Sequence, residues 1–126
     1  MTVILLKDFK PYQNALILSS NAWKVYNKLS TQCKFHPGGQ FIRSVDSIGA
    51  NIAEGYGRYH YSDKNKFYYN AIGSLTEVYF WLDILRDREF VLIPQLSIIQ
   101  DQLNELLHIL NKMILDNKSL KNFNSR

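Results

Sequence analysis

Glu105 and His108 form an E-x-x-H pair, which on a helix sets a carboxylate and an imidazole on one face, the ligand spacing of dinuclear iron bundles. Such a centre needs a second E-x-x-H and two further inward carboxylates. Glu54 and Glu77 are available as isolated carboxylates, but His36 and His60 fall in expected loops and supply no second pair. Cys33 stands three residues before His36, the thiol–imidazole pairing of nucleophilic catalysis. No third residue is placed to orient that histidine. The "GYGR" of residues 55–58 has no preceding strand and lacks the third glycine of a dinucleotide loop. The expected reading is a chain that is not an enzyme, with no catalytic residue, no metal site and no cofactor.

Nucleic-acid binding is a chemistry the residue types leave open. Arg58, Tyr59, His60, Tyr61, Lys64 and Lys66 interleave cations with aromatic rings, the composition that combines phosphate neutralisation with base stacking. Lys24 and Lys28, four apart, share a helical face, and Lys34 extends them. Arg58, Lys64, Lys66, Lys24 and Lys28 are therefore the candidate nucleic-acid-binding residues. The net charge of +4 is unevenly spread. Residues 1–37 hold Lys7, Lys10, Lys24, Lys28 and Lys34 against Asp8, while residues 67–93 hold Glu77, Asp83, Asp87 and Glu89 against two arginines. The competing reading is a protein–protein surface. Eight tyrosines and two tryptophans, with Tyr69, Phe80 and Trp81 on helix flanks, exceed what one bundle core needs and suit subunit interfaces.

The elements that must carry these residues follow from hydrophobic spacing. At 126 residues, with 46% hydrophobic and 21% charged content, the chain supports one globular domain over 1–126. A single cysteine excludes an internal disulfide framework and suits a reducing compartment. The start, MTVILLKDFK, lacks the run of a signal peptide, and no stretch reaches membrane-span length, so a cytoplasmic protein with no membrane contact is expected. A helix is predicted over about 11–30, opened by Pro11, with Ala15, Leu18, Ala22, Val25 and Leu29 on one face and Trp23 and Tyr26 widening it. "HPGGQ" at 36–40 ends it. A second, over 40–55, turns Phe41, Val45, Ile48 and Ile52 inward. A third, over 62–88 and capped by Ser62 or Asp63, repeats Tyr68, Ala71, Leu75, Val78, Leu82 and Leu85. A fourth, over 94–117 from Pro94, repeats Leu96, Ile99, Leu103, Leu106, Leu110 and Met113, and residues 118–126 are expected to fray. Seven-residue periods and short connections predict an all-α, antiparallel up-down four-helix bundle.

The segment "RSVDSIGANIAEGYGR" (43–58), followed by "NKFYYNAIGSLTEVYFWL" (65–82), resembles the proteins encoded by intervening sequences in bacterial 23S ribosomal RNA genes, also called S23 ribosomal protein-like. The resemblance runs from "LKDFKPYQNA" to about Met113. It implies a homopentamer with a central channel and a non-catalytic scaffold with RNA contact; the alternative is a protein–protein adaptor without nucleic-acid binding. A more distant similarity, to the accessory protein of diversity-generating retroelements, implies RNA or DNA and a reverse transcriptase or ribosomal partner. The chain departs from the family pattern at Gly49, where proline is common, and at "RYHYSDK", where a basic run is common.

The motif also has a structural reading. Gly55 and Gly57 are the expected helix-terminating glycines, through positive φ. Gly49, Ala50, Ala53, Ala71, Gly73 and Ser74 are expected to let the second and third helices approach closely. Arg43, Asn51, Glu54 and Glu77 are expected to join in one polar network at a helix or subunit junction.

Overall fold

The structure, a computed structural model, describes residues 4–124, and among these every regular element is helical. Four long helices, α1 (Lys10–Asn27), α2 (Gly39–Tyr56), α3 (Tyr61–Asp87) and α4 (Ile93–Asn124), form an antiparallel bundle. α1 packs on α2 and α4, and α3 packs on the same two, closing a square. Antiparallel register is fixed by Ser44 opposite Glu77 and Ser47 opposite Ser74 between α2 and α3, and by Asn65 opposite Ile114 and Tyr79 opposite Asn104 between α3 and α4. No helix among the described residues is long and apolar enough to cross a membrane.

The core is the one the spacing predicts. Ala15, Leu18, Ala22, Val25 and Leu29, the α2 residues Phe41, Val45, Ile48 and Ile52, and the α3 repeat from Tyr68 to Leu85 are all buried, as are Leu96, Ile99, Leu103, Leu106 and Leu110 on α4. The pattern slips at the end of α4, where Ile114 is buried and Met113 only partly so. A straight helix drifts about 20° per heptad against a strict seven-residue repeat, so the inward position moves on by one residue. Trp23 lies half exposed, stacked on Tyr26 at 5.2 Å.

The ends of the helices differ from expectation in instructive ways. α1 stops at Asn27, and a separate helical turn, Thr31–Cys33, is capped by Ser30, whose Oγ accepts from the Cys33 N–H. His36 is extended (φ −163°, ψ 127°), the His36–Pro37 peptide is cis, and α2 starts at Gly39. Neither Ser62 nor Asp63 caps α3, which begins one residue earlier, at Tyr61. α3 closes on Glu89, a non-glycine residue at φ 60°; the Phe90 N–H reaches back to the Leu85 carbonyl at 2.9 Å, as in a Schellman turn. Where the period is lost after Asn117, α4 continues to Asn124. Asn117 donates to the Asn65 amide oxygen and Lys118 sits over the Tyr69 ring, so side chains from α3 tie this turn down. Residues 125–126 of the expected tail lie outside the described residues.

Tyr68 gives the fold a measurable alkaline signature. Burial pushes its phenol up to about 12 from the ordinary 10. A folded-state pKa above the unfolded one means that stability is intact below pH 10 and lost as pH rises toward 12. Over that window the unfolding free energy, followed by urea denaturation, is expected to fall by about 2–3 kcal/mol more in the wild-type chain than in Tyr68→Phe.

Candidate functional site

The joint between α2 and α3 is built on one glycine. Gly55 lies inside the last turn of α2, and a Cβ there would stand 2.6 Å from Tyr68 Cε1 and 3.1 Å from the Lys64 carbonyl oxygen. Its role is close approach. Neither glycine has positive φ; Gly57 caps α2 in the right-handed region (φ −75°, ψ −9°), with room around its Cα. The helix is finished instead by Lys64, whose ammonium donates to the carbonyls of Gly55 (3.3 Å) and Tyr56 (2.8 Å). These are last-turn acceptors, of which Gly55 also takes the Arg58 N–H at 3.2 Å, and a cation there also meets the negative end of the helix dipole. Burial pushes the Lys64 pKa down.

Arg58 is engaged at the same joint. Its Nη2 pairs with Glu54 Oε1 at 2.6 Å, and its guanidinium lies over Phe67, 4.6 Å from the ring centroid. Lys66 is exposed and free of ion pairs among the described residues. Lys24 and Lys28 lie at the opposite end, because α1 and α2 are antiparallel and Phe9, not the end of α1, meets Tyr56. The two groups are separated by roughly 20 Å along α1. Lys24 and Lys28 frame a recess of about 150 Å³ against α4, with Asn21, Gln95 and Ile98. The five candidate residues thus form two clusters, one at each end of the bundle.

The predicted network of Arg43, Asn51, Glu54 and Glu77 is corrected to two smaller ones. Glu77 accepts from Ser44 Oγ (2.9 Å) and Trp81 Nε1 (3.4 Å). Ser47 and Ser74 hydroxyls pair at 2.9 Å, and Asn51 Nδ2 donates to the Ser47 carbonyl and hydroxyl. Register explains the difference: Glu77 lies opposite Ser44, almost three turns from Glu54, which turns to Arg58 instead. Arg43 makes no ion pair among the described residues and lies over Gly39. The small residues are also redistributed. Gly49 meets Ala15 of α1, while Ala50 is exposed and a Cβ on Gly73 would meet open space.

The remaining chemical candidates do not converge. Cys33 is fully buried, and burial pushes its thiol up, partly offset by the Gly38 N–H. His36 turns its ring edge-on to Trp81 at 5.7 Å. Glu105 and His108 both face outward. Among the described residues no three metal-ligating side chains gather.

Residues 7–112 match the model of a family described as 23S rRNA-intervening sequence protein. A solved structure similar to the chain is that of a protein of unknown function from the S23 ribosomal protein family of Bacteroides thetaiotaomicron. It superposes with a TM-score of 0.79 at 25% identity, over 85% of this chain and 100% of that one. No curated protein matches the chain in sequence.

Proposed function

From the premise that the chain belongs to the 23S rRNA-intervening sequence protein family, we propose that it is a non-catalytic scaffold, assembled as a ring of five copies, that contacts RNA. The observation that carries the RNA contact is the set of unneutralised cations at the end of the bundle where α1 stops. Lys24, Lys28, Lys34 and Arg43 all lie there, and none has an ion-pair partner among the described residues. Assembly is supported by large apolar side chains left outside: Leu16, Ile17, Trp23, Phe80 and Ile98 are each more than half exposed. Side chains of this size are what a subunit interface buries. Repeating a +4 protomer around a ring multiplies its field, so a modest patch on one copy becomes an effective surface for a polyanion.

The test is light scattering with a structured RNA titrated in at low and moderate salt. Particle mass is expected to rise with RNA at low salt and to fall back as salt increases. Lys24→Ala with Lys28→Ala should shallow the salt slope of the logarithmic affinity by about 1.4, from about 0.7 per lost single-strand phosphate contact. Binding of a protein partner with no salt response, and none of RNA, would favour the adaptor reading.

A further inference from the structure

A recess of about 610 Å³ opens at the corner where the α1–α2 connection turns into α2. Its walls bring together Tyr26, Lys34, Phe35 and Arg43, with Thr31 and Gln40 between them. Three features set it apart from an ordinary loop hollow. Phe35 is 87% exposed, a full aromatic face that covers nothing in the core. Lys34 and Arg43 are cations without ion pairs among the described residues. No carboxylate lines the recess. Of the acids on the neighbouring helices, Asp46 stands one turn along α2 on the exposed side, and the two oxygens of Glu77 are taken by Ser44 and Trp81.

Tyr26 and the two cations are also held in place. Tyr26 is stacked on Trp23, and Lys34 Nζ sits 5.7 Å from the Tyr26 centroid, so this lysine is kept at the recess rather than swinging free. Arg43 lies against Gly39, a Cβ on which would stand 3.5 Å from Nη2, so the guanidinium rests along the start of α2. A free π-face beside two unneutralised cations is the recognition chemistry of an unpaired nucleotide, base on the ring and phosphate on the cations. Thr31 and Gln40 add a hydroxyl and an amide within reach of a base edge or sugar.

We propose that this recess binds one unpaired nucleotide of a single-stranded nucleic acid, its base stacked on Phe35 and its phosphate held by Lys34 and Arg43. The inference rests on the RNA-contact reading above and narrows part of that contact to Lys34 and Arg43, adding Phe35 as the residue that receives a base. A duplex, whose bases are already stacked, offers nothing for Phe35 to receive.

The experiment is fluorescence anisotropy with a labelled uridine oligomer of about twelve nucleotides, a deoxythymidine oligomer and a duplex RNA of equal length. Phe35→Ala is expected to weaken single-strand binding about tenfold while leaving duplex binding and the thermal midpoint unchanged, and Phe35→Trp to restore it. Lys34→Ala and Arg43→Ala should each shallow the single-strand salt slope by about 0.7. Loss on both oligomers assigns the site to either nucleic acid, and loss on the uridine oligomer alone assigns it to RNA. Wild-type-like binding by Phe35→Ala and by Lys34→Ala/Arg43→Ala would overturn the recess and leave the RNA-contact reading standing. Absence of any binding by the unaltered protein at low salt would overturn both. Displacement of the oligomer by free UMP at equal concentration would overturn the strand assignment in favour of a free nucleotide.

Discussion

Gly55→Ala is expected to lower the unfolding free energy by about 1–3 kcal/mol, while Gly73→Ala, the same change in the next helix, raises it by about 0.5–1 kcal/mol. Both glycines lie in helical turns, where alanine is intrinsically the better residue. The sign is decided by what the new methyl meets. At Gly55 it would stand 2.6 Å from a carbon of the buried Tyr68 ring and 3.1 Å from the Lys64 carbonyl, and one neighbour is backbone that cannot turn aside. Relief requires α2 and α3 to separate at their tightest crossing, which also draws the Gly55 and Tyr56 carbonyls away from the Lys64 ammonium. A Cβ on Gly73 would meet no atom within 4 Å beyond its own helical turn. Denaturant unfolding of the two variants, measured side by side, checks the pair; stabilisation by both would show that helix propensity, not the crossing, governs the joint.

A larger loss is expected from Phe41→Ala, about 3–5 kcal/mol. Phe41 is fully buried at the head of α2, directly after the turn that carries Pro37 and Gly38. That turn is itself packed tightly, since a Cβ on Gly38 would stand 2.7 Å from both the Cys33 carbonyl oxygen and Leu29 Cδ1. Neighbours held so closely cannot collapse into the space a phenyl ring leaves, so the cavity stays open and the cost falls at the high end of its class. Phe35→Ala, six residues away on an 87% exposed ring, is expected to change stability by less than about 0.5 kcal/mol. Thermal unfolding of the two single variants checks both, and near-equal losses would contradict the burial assigned to them.

How much of this was legible in the sequence depended on the physical range of each signal. Helix identity and the core were legible because burial repeats along a helix: Leu18, Ile48, Leu75 and Leu103 each sit in a run of apolar residues three and four apart. Individual contacts across helices were not, because they depend on register. Glu54 and Glu77 looked like partners on composition, yet the antiparallel offset pairs Ser44 with Glu77 and Ser47 with Ser74. A signal for that offset does exist, since S-x-x-S at 44–47 and S-x-x-E at 74–77 have matching spacing on facing helices. Gly55 was singled out correctly and for the wrong reason. Its backbone is ordinary, and the demand for glycine comes from Tyr68, thirteen residues on. The fate of Arg58 and Lys64 was hidden in the same way: a basic loop reads alike whether its charges face solvent or finish a helix, and only the fold places the α2 carbonyls beside Lys64.

The square arrangement of the helices also constrains how the chain reaches its native state. Three sides of the square join helices that follow one another directly, so α1–α2, α2–α3 and α3–α4 can each form as a hairpin with only a short segment to close. Such local topology belongs to the microsecond-to-millisecond class of folding rates. The α1–α4 side joins the two extremes of the chain, carries the largest loop-closure entropy, and is the last to be rewarded with contacts. By the same accounting it is the first side to part in a native fluctuation, and amide protons along it should exchange before those of the α2–α3 hairpin. Lys24 and Lys28 stand on that side. The cations proposed to contact phosphate would therefore ride on the most readily released wall of the bundle, and a strand bound across α1 and α4 would act as its clasp.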